Sequence, residues 1–430
     1  MAIEIGITLL IIFFILVALS APISVSLGLS TIITMILFNQ GSMISMYANM
    51  MFSGMAKYTM LAVPFFILAG VIMDKSGISK RIVKLANLMV GPIPGGMALV
   101  SIIVTTFWGA LSGSGPATVV ALGSILIPGM IEAGYKPGFA AATIAASAAI
   151  SVVIPPSITL VAYGVSAGDS ISNLFMGGVI PGLLMGVTFL GYAFIVSVKR
   201  GYRGSHFGSR KEIWAAFKDA SWGLLSPVII LGGIYGGIVT PTEAALIAVF
   251  YSLFVGVFIY KDFDLKTIWG IMANAANSSA SIMIIMANAS VLTWLVQSQG
   301  IATIVSNALM GISDNRYIIM LTMVFIMLIA GFFIDGISIT YIFVPLFLPV
   351  VNSLGFSSLA FGVIMSMAIA IGFTTPPVAV NLYPACNIAN IKLSAISKEV
   401  IGYVLAGLVA VVACVFFEDI ILFLPNLLNG

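Results

Sequence analysis

Two pairs of prolines carry the first chemical signal in this chain. Pro155-Pro156 in "VVIPPS" and Pro376-Pro377 in "FTTPPV" each sit inside a long apolar run. Adjacent prolines withhold two backbone donors and block the preceding turn, which costs an ordinary helix about 3 kcal/mol or more. Hydrocarbon supplies no water to satisfy the freed carbonyls. Such a break is tolerated where it lines a cavity in the protein, and there carbonyls coordinate a cation while helix N-termini attract an anion. A proline kink satisfied by neighbouring Ser or Thr is the simpler alternative for one isolated break. Two further words, "SGSGPAT" from Ser112 and "IDGIS" from Ile334, interrupt apolar stretches with small residues that let backbone approach a ligand closely. Small residues also suit a helix-packing face, although packing needs no Gly-Pro turn. Asp335 is the one carboxylate predicted near the membrane midplane, where an acid marks a functional site with a cation as partner.

The elements that must hold these groups are membrane helices. With 61% hydrophobic and 7% charged residues, 430 residues cannot coat a soluble globule and must be solvated by lipid. Apolar runs predict spans at 3–20, 23–38, 59–74, 138–167, 174–198, 222–240, 243–260, 271–297, 357–386 and 400–424. The stretches 95–130 and 317–352 are apolar but interrupted at their centres, so each is two short spans or a re-entrant hairpin. With the N-terminus periplasmic and both stretches as hairpins, every Lys and Arg except Lys57 and Arg316 falls on the cytoplasmic side, and the C-terminus is periplasmic. "ALSA" near residue 20 resembles a signal-peptide cleavage site, but Glu4 and the lack of an early Lys or Arg favour an uncleaved first span.

One offset relates the two halves. Gly115 and Gly336 differ by 221, as do Pro128 and Pro349, Gly134 and Gly355, Pro155 and Pro376, and Pro156 and Pro377. An odd number of predicted crossings separates the two interrupted stretches, so the copies enter from opposite faces as an inverted-topology repeat. The predicted fold is therefore an all-α polytopic membrane protein with two re-entrant hairpins and two broken helices. Its halves are 1–220, which ends in a basic cytoplasmic loop at 199–220, and 221–430. Duplication of the Pro-Pro breaks beside duplicated hairpins favours a binding site over a kink.

Several function classes are excluded or disfavoured. A net charge of +3 from 17 basic and 14 acidic residues leaves no basic face for nucleic acid. Cys386 and Cys414 have no paired spacing and the one histidine, His206, lies in a polar loop, so neither a disulfide framework nor a Cys/His metal site is expected. No Walker motif occurs, and no Ser/His or paired-Asp constellation supports an enzyme. A proton relay usually employs several buried acids or histidines; carbonyl and hydroxyl oxygens suit Na⁺ better. A channel built on re-entrant loops is the runner-up, but its repeats would more naturally surround a central axis. Thr240, Pro241 and Glu243 form a capping box opening a span, and 199–218, with Trp214 and Phe217, reads as an interfacial amphipathic segment.

"SGSGPATVVALGSILIPGM", "GY" at Gly134-Tyr135, "VVIPPSITLVAYGV", "GGIVTPTEAA" and "FTTPPVAVNLY" together resemble the large membrane subunit of tripartite ATP-independent periplasmic (TRAP) transporters, most of all the sialic-acid branch. The resemblance spans nearly the whole chain. It implies an elevator-type, Na⁺-coupled importer of organic acids in the bacterial inner membrane, working with a small membrane subunit and a periplasmic substrate-binding protein. Carried over by position, the first sodium site uses backbone oxygens of Ser112, Ser114, Ser151, Ile154 and Pro156. The offset places its mirror at Phe333, Asp335, Gly372, Thr375 and Pro377. Ser114, Thr118, Thr159, Asp335, Ser338 and Asn381 are the candidate substrate contacts, and sialic acid (N-acetylneuraminate) is the substrate expected.

Overall fold

The computed structural model describes residues 2–204, 208–263 and 265–429; His206 lies outside the described residues. These residues form α-helices with short 3₁₀ and π turns and no strand. The first ten helices are α1 (Ala2–Ala18), α2 (Ile23–Leu37), α3 (Gly41–Met55), α4 (Ala62–Lys75), α5 (Ile78–Val90), α6 (Gly96–Ser112), α7 (Gly115–Glu132), α8 (Pro137–Ala149), α9 (Ile158–Ala167) and α10 (Ile171–Arg200). The second ten are α11 (Arg210–Tyr235), α12 (Pro241–Phe254), α13 (Leu265–Ser298), α14 (Ile301–Met310), α15 (Arg316–Ala330), α16 (Gly336–Ser353), α17 (Ser358–Gly372), α18 (Leu382–Ala389), α19 (Leu393–Phe416) and α20 (Asp419–Asn429). Among the described residues, seven helical segments are long and apolar enough to cross a membrane, whereas α6, α8, α9, α15 and α17 are shorter apolar helices.

The sequence offset is present in the architecture. Helices α7 and α16 have 18 residues each and begin 221 residues apart. Both Pro-Pro bonds are cis. Packing follows the same relation: α9 lies on α16 as α18 lies on α7, α8 on α19 as α17 on α10, and α4 on α12 as α13 on α2. Helices α10 and α19, counterparts of one another, also pack together. The repeats thus interlock, each hairpin resting against the other repeat's broken helix. The broken helix α8–α9 and then α10, α11, α12 and α13 separate the hairpins, an odd number of crossings that inverts the second copy.

Most predicted spans coincide with helices, and the departures have local causes. Helices α3, α5 and α14 were not among the predicted spans. In α5 the residues Ile78, Ile82, Leu85 and Ala86 are buried at helical spacing, while Lys80 and Lys84 are exposed. The last span begins at Leu393 instead of residue 400, because Glu399 lies inside the helix and pairs with Arg200 at 2.8 Å. It ends at Phe416; Phe417 leaves helical geometry and α20 follows. The basic loop is shorter than 199–220. Ser209 and Glu212 form a capping box that starts α11 at Arg210, so Trp214 and Phe217 stack on the surface of that helix, ring centroids 5.6 Å apart. The box at Thr240 and Glu243 is present as expected, with the Thr240 amide donating to Glu243 Oε2 at 2.8 Å.

Candidate functional site

The first hairpin tip rests on the first break. Gly113 ends α6 with φ +60°, and a Cβ there would stand 2.7 Å from the Pro156 carbonyl oxygen. One turn away, a Cβ on Gly109 would stand 2.9 Å from Ser151 Cα. Hydroxyls of Ser112, Thr118 and Ser151 form a chain, with Oγ···Oγ1 at 2.6 Å and Oγ1···Oγ at 3.0 Å. Beyond α8, the backbone ladder stops at Ile154 N–H donating to Ile150 O and resumes at Val161 N–H donating to Ser157 O. Pro155 and Pro156 bring no N–H, so the carbonyls between them stand off the helical ladder. Ser157 closes the break: its hydroxyl donates to Val152 O and accepts from the Leu160 amide, capping α9. Residues 151–157 are all buried.

The second hairpin meets its own break through a close approach of backbone to backbone. A Cβ on Gly372 would stand 2.8 Å from Gly331 Cα, and the Ala379 amide donates to Phe332 O at 3.0 Å. Asp335 opens α16. Its Oδ1 accepts from the Ile337 and Ser338 amides, each at 3.0 Å, and its Oδ2 accepts from Ser338 Oγ at 2.6 Å. The carboxylate is therefore the N-cap of a helix long and apolar enough to cross a membrane. Its own carbonyl accepts from the Ile339 amide, and the Thr375 hydroxyl turns back to Ile371 O at 2.8 Å. Phe333 is 47% exposed, and Pro377 is exposed as well.

Each tip also reaches the other repeat's break. A Cβ on Gly115 would lie 3.0 Å from Asn381 Oδ1, and one on Gly336 would lie 3.0 Å from Thr159 Oγ1. Between the tips is a cavity of about 290 Å³, lined by Ser114, Gly115, Thr159, Asp335, Gly336 and other residues. Of the candidate substrate contacts, Ser114, Thr159 and Asp335 line it. Thr118 is held in the hydroxyl chain, Ser338 on Asp335, and Asn381 behind Gly115 with its Nδ2 donating to Ala145 O at 3.0 Å. Ile282 and Ile285 of α13 form part of the wall; nothing local in the sequence marks them, because their position depends on how α13 packs on α16. A second cavity of about 440 Å³ shares Ser114, Pro116, Ile158 and Ile282 with the first and reaches Asp74 near the end of α4.

Two interlocked repeats with their hairpin tips on proline-broken helices around a shared cavity define a polytopic membrane transporter. Residues 10–420 match the family described as tripartite ATP-independent periplasmic transporter, DctM component, and the chain belongs to it. It is a large permease of that family, a transporter component. Relatives include the isethionate TRAP transporter permease DctMQ of Oleidesulfovibrio alaskensis, 41% identical over 90% of this chain. The chain spans 61% of the length of that relative. The C4-dicarboxylate large permease of Rhodobacter capsulatus is 35% identical over 98% of this chain and 99% of its own length. The sialic-acid large permease of Vibrio cholerae is 33% identical over 95% of this chain and 96% of its own. Identity therefore does not single out the sialic-acid branch. The solved structure of the Alcanivorax borkumensis YdaH transporter shares the fold, with a TM-score of 0.64 at 16% identity over 87% of this chain and 88% of that one.

Proposed function

We propose that this chain is the large permease of a Na⁺-coupled importer of organic acids in a bacterial inner membrane. It acts with a small membrane subunit and takes substrate from a periplasmic binding protein. One observation carries the reading: two hairpin tips and two helix breaks converge on one cavity, each tip touching both its own break and that of the other repeat. The relatives are named for organic acids: isethionate, C4-dicarboxylates and sialic acid. Sialic acid belongs to that class and is the substrate suggested by the motif resemblance.

In this reading the carbonyls of Ser112, Ser114, Ser151, Ile154 and Pro156 hold one Na⁺, a hard cation suited to oxygen donors. Phe333, Asp335, Gly372, Thr375 and Pro377 hold a second. Each ion joins a tip to a break, so occupancy orders the substrate surface, and Na⁺ and substrate bind cooperatively with a coupling of about 1–3 kcal/mol. Hairpins and breaks then cross the membrane as a body in an elevator motion against the scaffold spans of the halves 1–220 and 221–430, with both termini periplasmic. The test is reconstitution of the large and small subunits in liposomes. Uptake should saturate, require a Na⁺ gradient and fail without the binding protein. Single-channel currents, or full uptake of free substrate without a binding protein, would overturn the proposal.

A further inference from the structure

Helix α5 and the first half of α11 run antiparallel as a two-helix platform. Arg81 donates to Asp219 at 3.3 Å, while a Cβ on Gly223 would meet Ile78 and one on Gly208, just before α11, would meet Leu88. Leu85, Ala216 and Ala220 form a small buried cluster of their own between the two helices. The acids here are engaged: Asp219 and Asp262 hold Arg81 at 3.3 and 2.6 Å, and Glu212 closes the capping box of α11. The remaining cations are not. Lys80, Lys84, Arg210, Lys211 and Lys218 are all exposed, and none makes an ion pair among the described residues.

The exposed face of α11 changes character once along its length. Lys211, Trp214 and Lys218 follow one another at helical spacing, with Phe217 stacked on Trp214. Beyond them the large exposed side chains are Trp222, Leu225, Val228 and Ile229. A helix that passes from cations and aromatics to aliphatics passes from headgroups into hydrocarbon, so the headgroup level lies along 211–218. The repeat supplies an internal contrast. The offset of 221 maps α5 onto α14, which carries no Lys or Arg, so the cations belong to one face of the membrane and not to the repeated architecture. We infer that the platform binds headgroups of anionic phospholipid, which the orientation proposed above places in the cytoplasmic leaflet. Phosphates lie between Lys211 and Lys218, Trp214 and Phe217 sit at the acyl boundary, and Lys80 and Lys84 extend the contact along α5. Because α5 leads into the hairpin α6–α7 through residues 91–95, bound lipid sets the level from which that hairpin starts. Cations that served only to orient the chain during insertion would hold no lipid in the finished protein.

The complex of large and small subunits is reconstituted in nanodiscs of phosphatidylcholine mixed with an equal amount of phosphatidylglycerol, which offer the acidic lipid to both faces and so do not depend on orientation. After mild extraction into detergent, the lipid that stays bound is counted by mass spectrometry. Retention of phosphatidylglycerol over phosphatidylcholine should be on the order of tenfold or more. A variant combining Lys80→Gln, Lys84→Gln, Lys211→Gln and Lys218→Gln should lose that preference, and the same four changed to Arg should keep it. Removing as many exposed cations elsewhere, as Lys199→Gln, Arg203→Gln, Lys392→Gln and Lys398→Gln, should leave it unchanged. Wild-type protein reads the same contact without mutation, because surface charge contacts are screened: retention should fall as salt is raised. No preference in the wild type, retention insensitive to salt, or equal loss in both Gln sets overturns the inference. So does dissociation of the small subunit in the platform variant, which would make this face a protein contact. None of these outcomes bears on the transporter reading, which is tested by uptake.

Discussion

The two helix breaks share a backbone plan and differ in their surroundings. Around the first, residues 151–157 are buried and three hydroxyls link Ser112, Thr118 and Ser151. Around the second, glycine meets glycine at Gly331 and Gly372, the Thr375 hydroxyl faces its own helix, and Phe333 and Pro377 are exposed. Duplication preserved what the chain path requires, namely the prolines and the small residues where backbones touch. Side chains were free to diverge, so one break is enclosed and hydroxyl-lined while the other is open and relies on main chain plus a capping acid. Unequal ion affinities follow from this in the proposed mechanism.

Mutation can break the shared plan first. Gly109→Val and Gly372→Val each place side-chain atoms against neighbouring backbone, less than 3 Å away at Cβ. Both should destabilise the fold by about 3 kcal/mol or more and abolish uptake, read as loss of monodisperse protein and of transport in liposomes. If one is tolerated, the backbone contact at that break is not shared. The next largest effect should come from Asp335. Asp335→Ala removes the cap, about 1 kcal/mol, together with the charge; Asp335→Asn removes only the charge. Uptake should fall in both, further in Ala, and the Na⁺ concentration at half-maximal rate should rise in Asn. Normal Na⁺ dependence in Asp335→Asn would remove this residue from the second site. The smallest effects sharpen the contrast between breaks. Ser112→Ala should shift Na⁺ dependence mildly, since the carbonyl remains, whereas Ser112→Leu obstructs the tip and should be far worse. Thr375→Val should change nothing, because that hydroxyl is turned away; a large effect would show that the second break uses hydroxyls too.

How far the sequence went follows the same division. Gly and Pro are read by the backbone they permit, so an offset of 221 in those residues located hairpins and breaks, and the odd number of predicted crossings between them gave the inversion. Side-chain roles were less legible. Asp335 stood out as an acid, but its use as a cap depends on the φ and ψ of one turn. Ser157 directly precedes an apolar run, the ordinary signature of an N-cap, and could have been found from that. The approach of Gly115 to Asn381 and of Gly336 to Thr159 joins residues far apart in sequence and was not visible before the repeats were seen to interlock. Helices α3, α5 and α14 escaped because hydropathy windows are tuned to full crossings.

The run of carbonyls from Ile154 to Pro156 has a consequence for heredity. Every amino acid carries a carbonyl, so replacing a side chain such as that of Ile154 leaves the rim's oxygen in place, and an alanine there would leave the backbone oxygens untouched. Selection can reach such a surface only through residues that steer the chain: Pro155 and Pro156, which fix the path, Ser157, which closes it, and Gly109 and Gly113, which let the hairpin approach. Variation that retunes the proposed ion site should therefore collect at these glycines, prolines and caps, while a position such as Ile154, which offers only its carbonyl, is freer to drift.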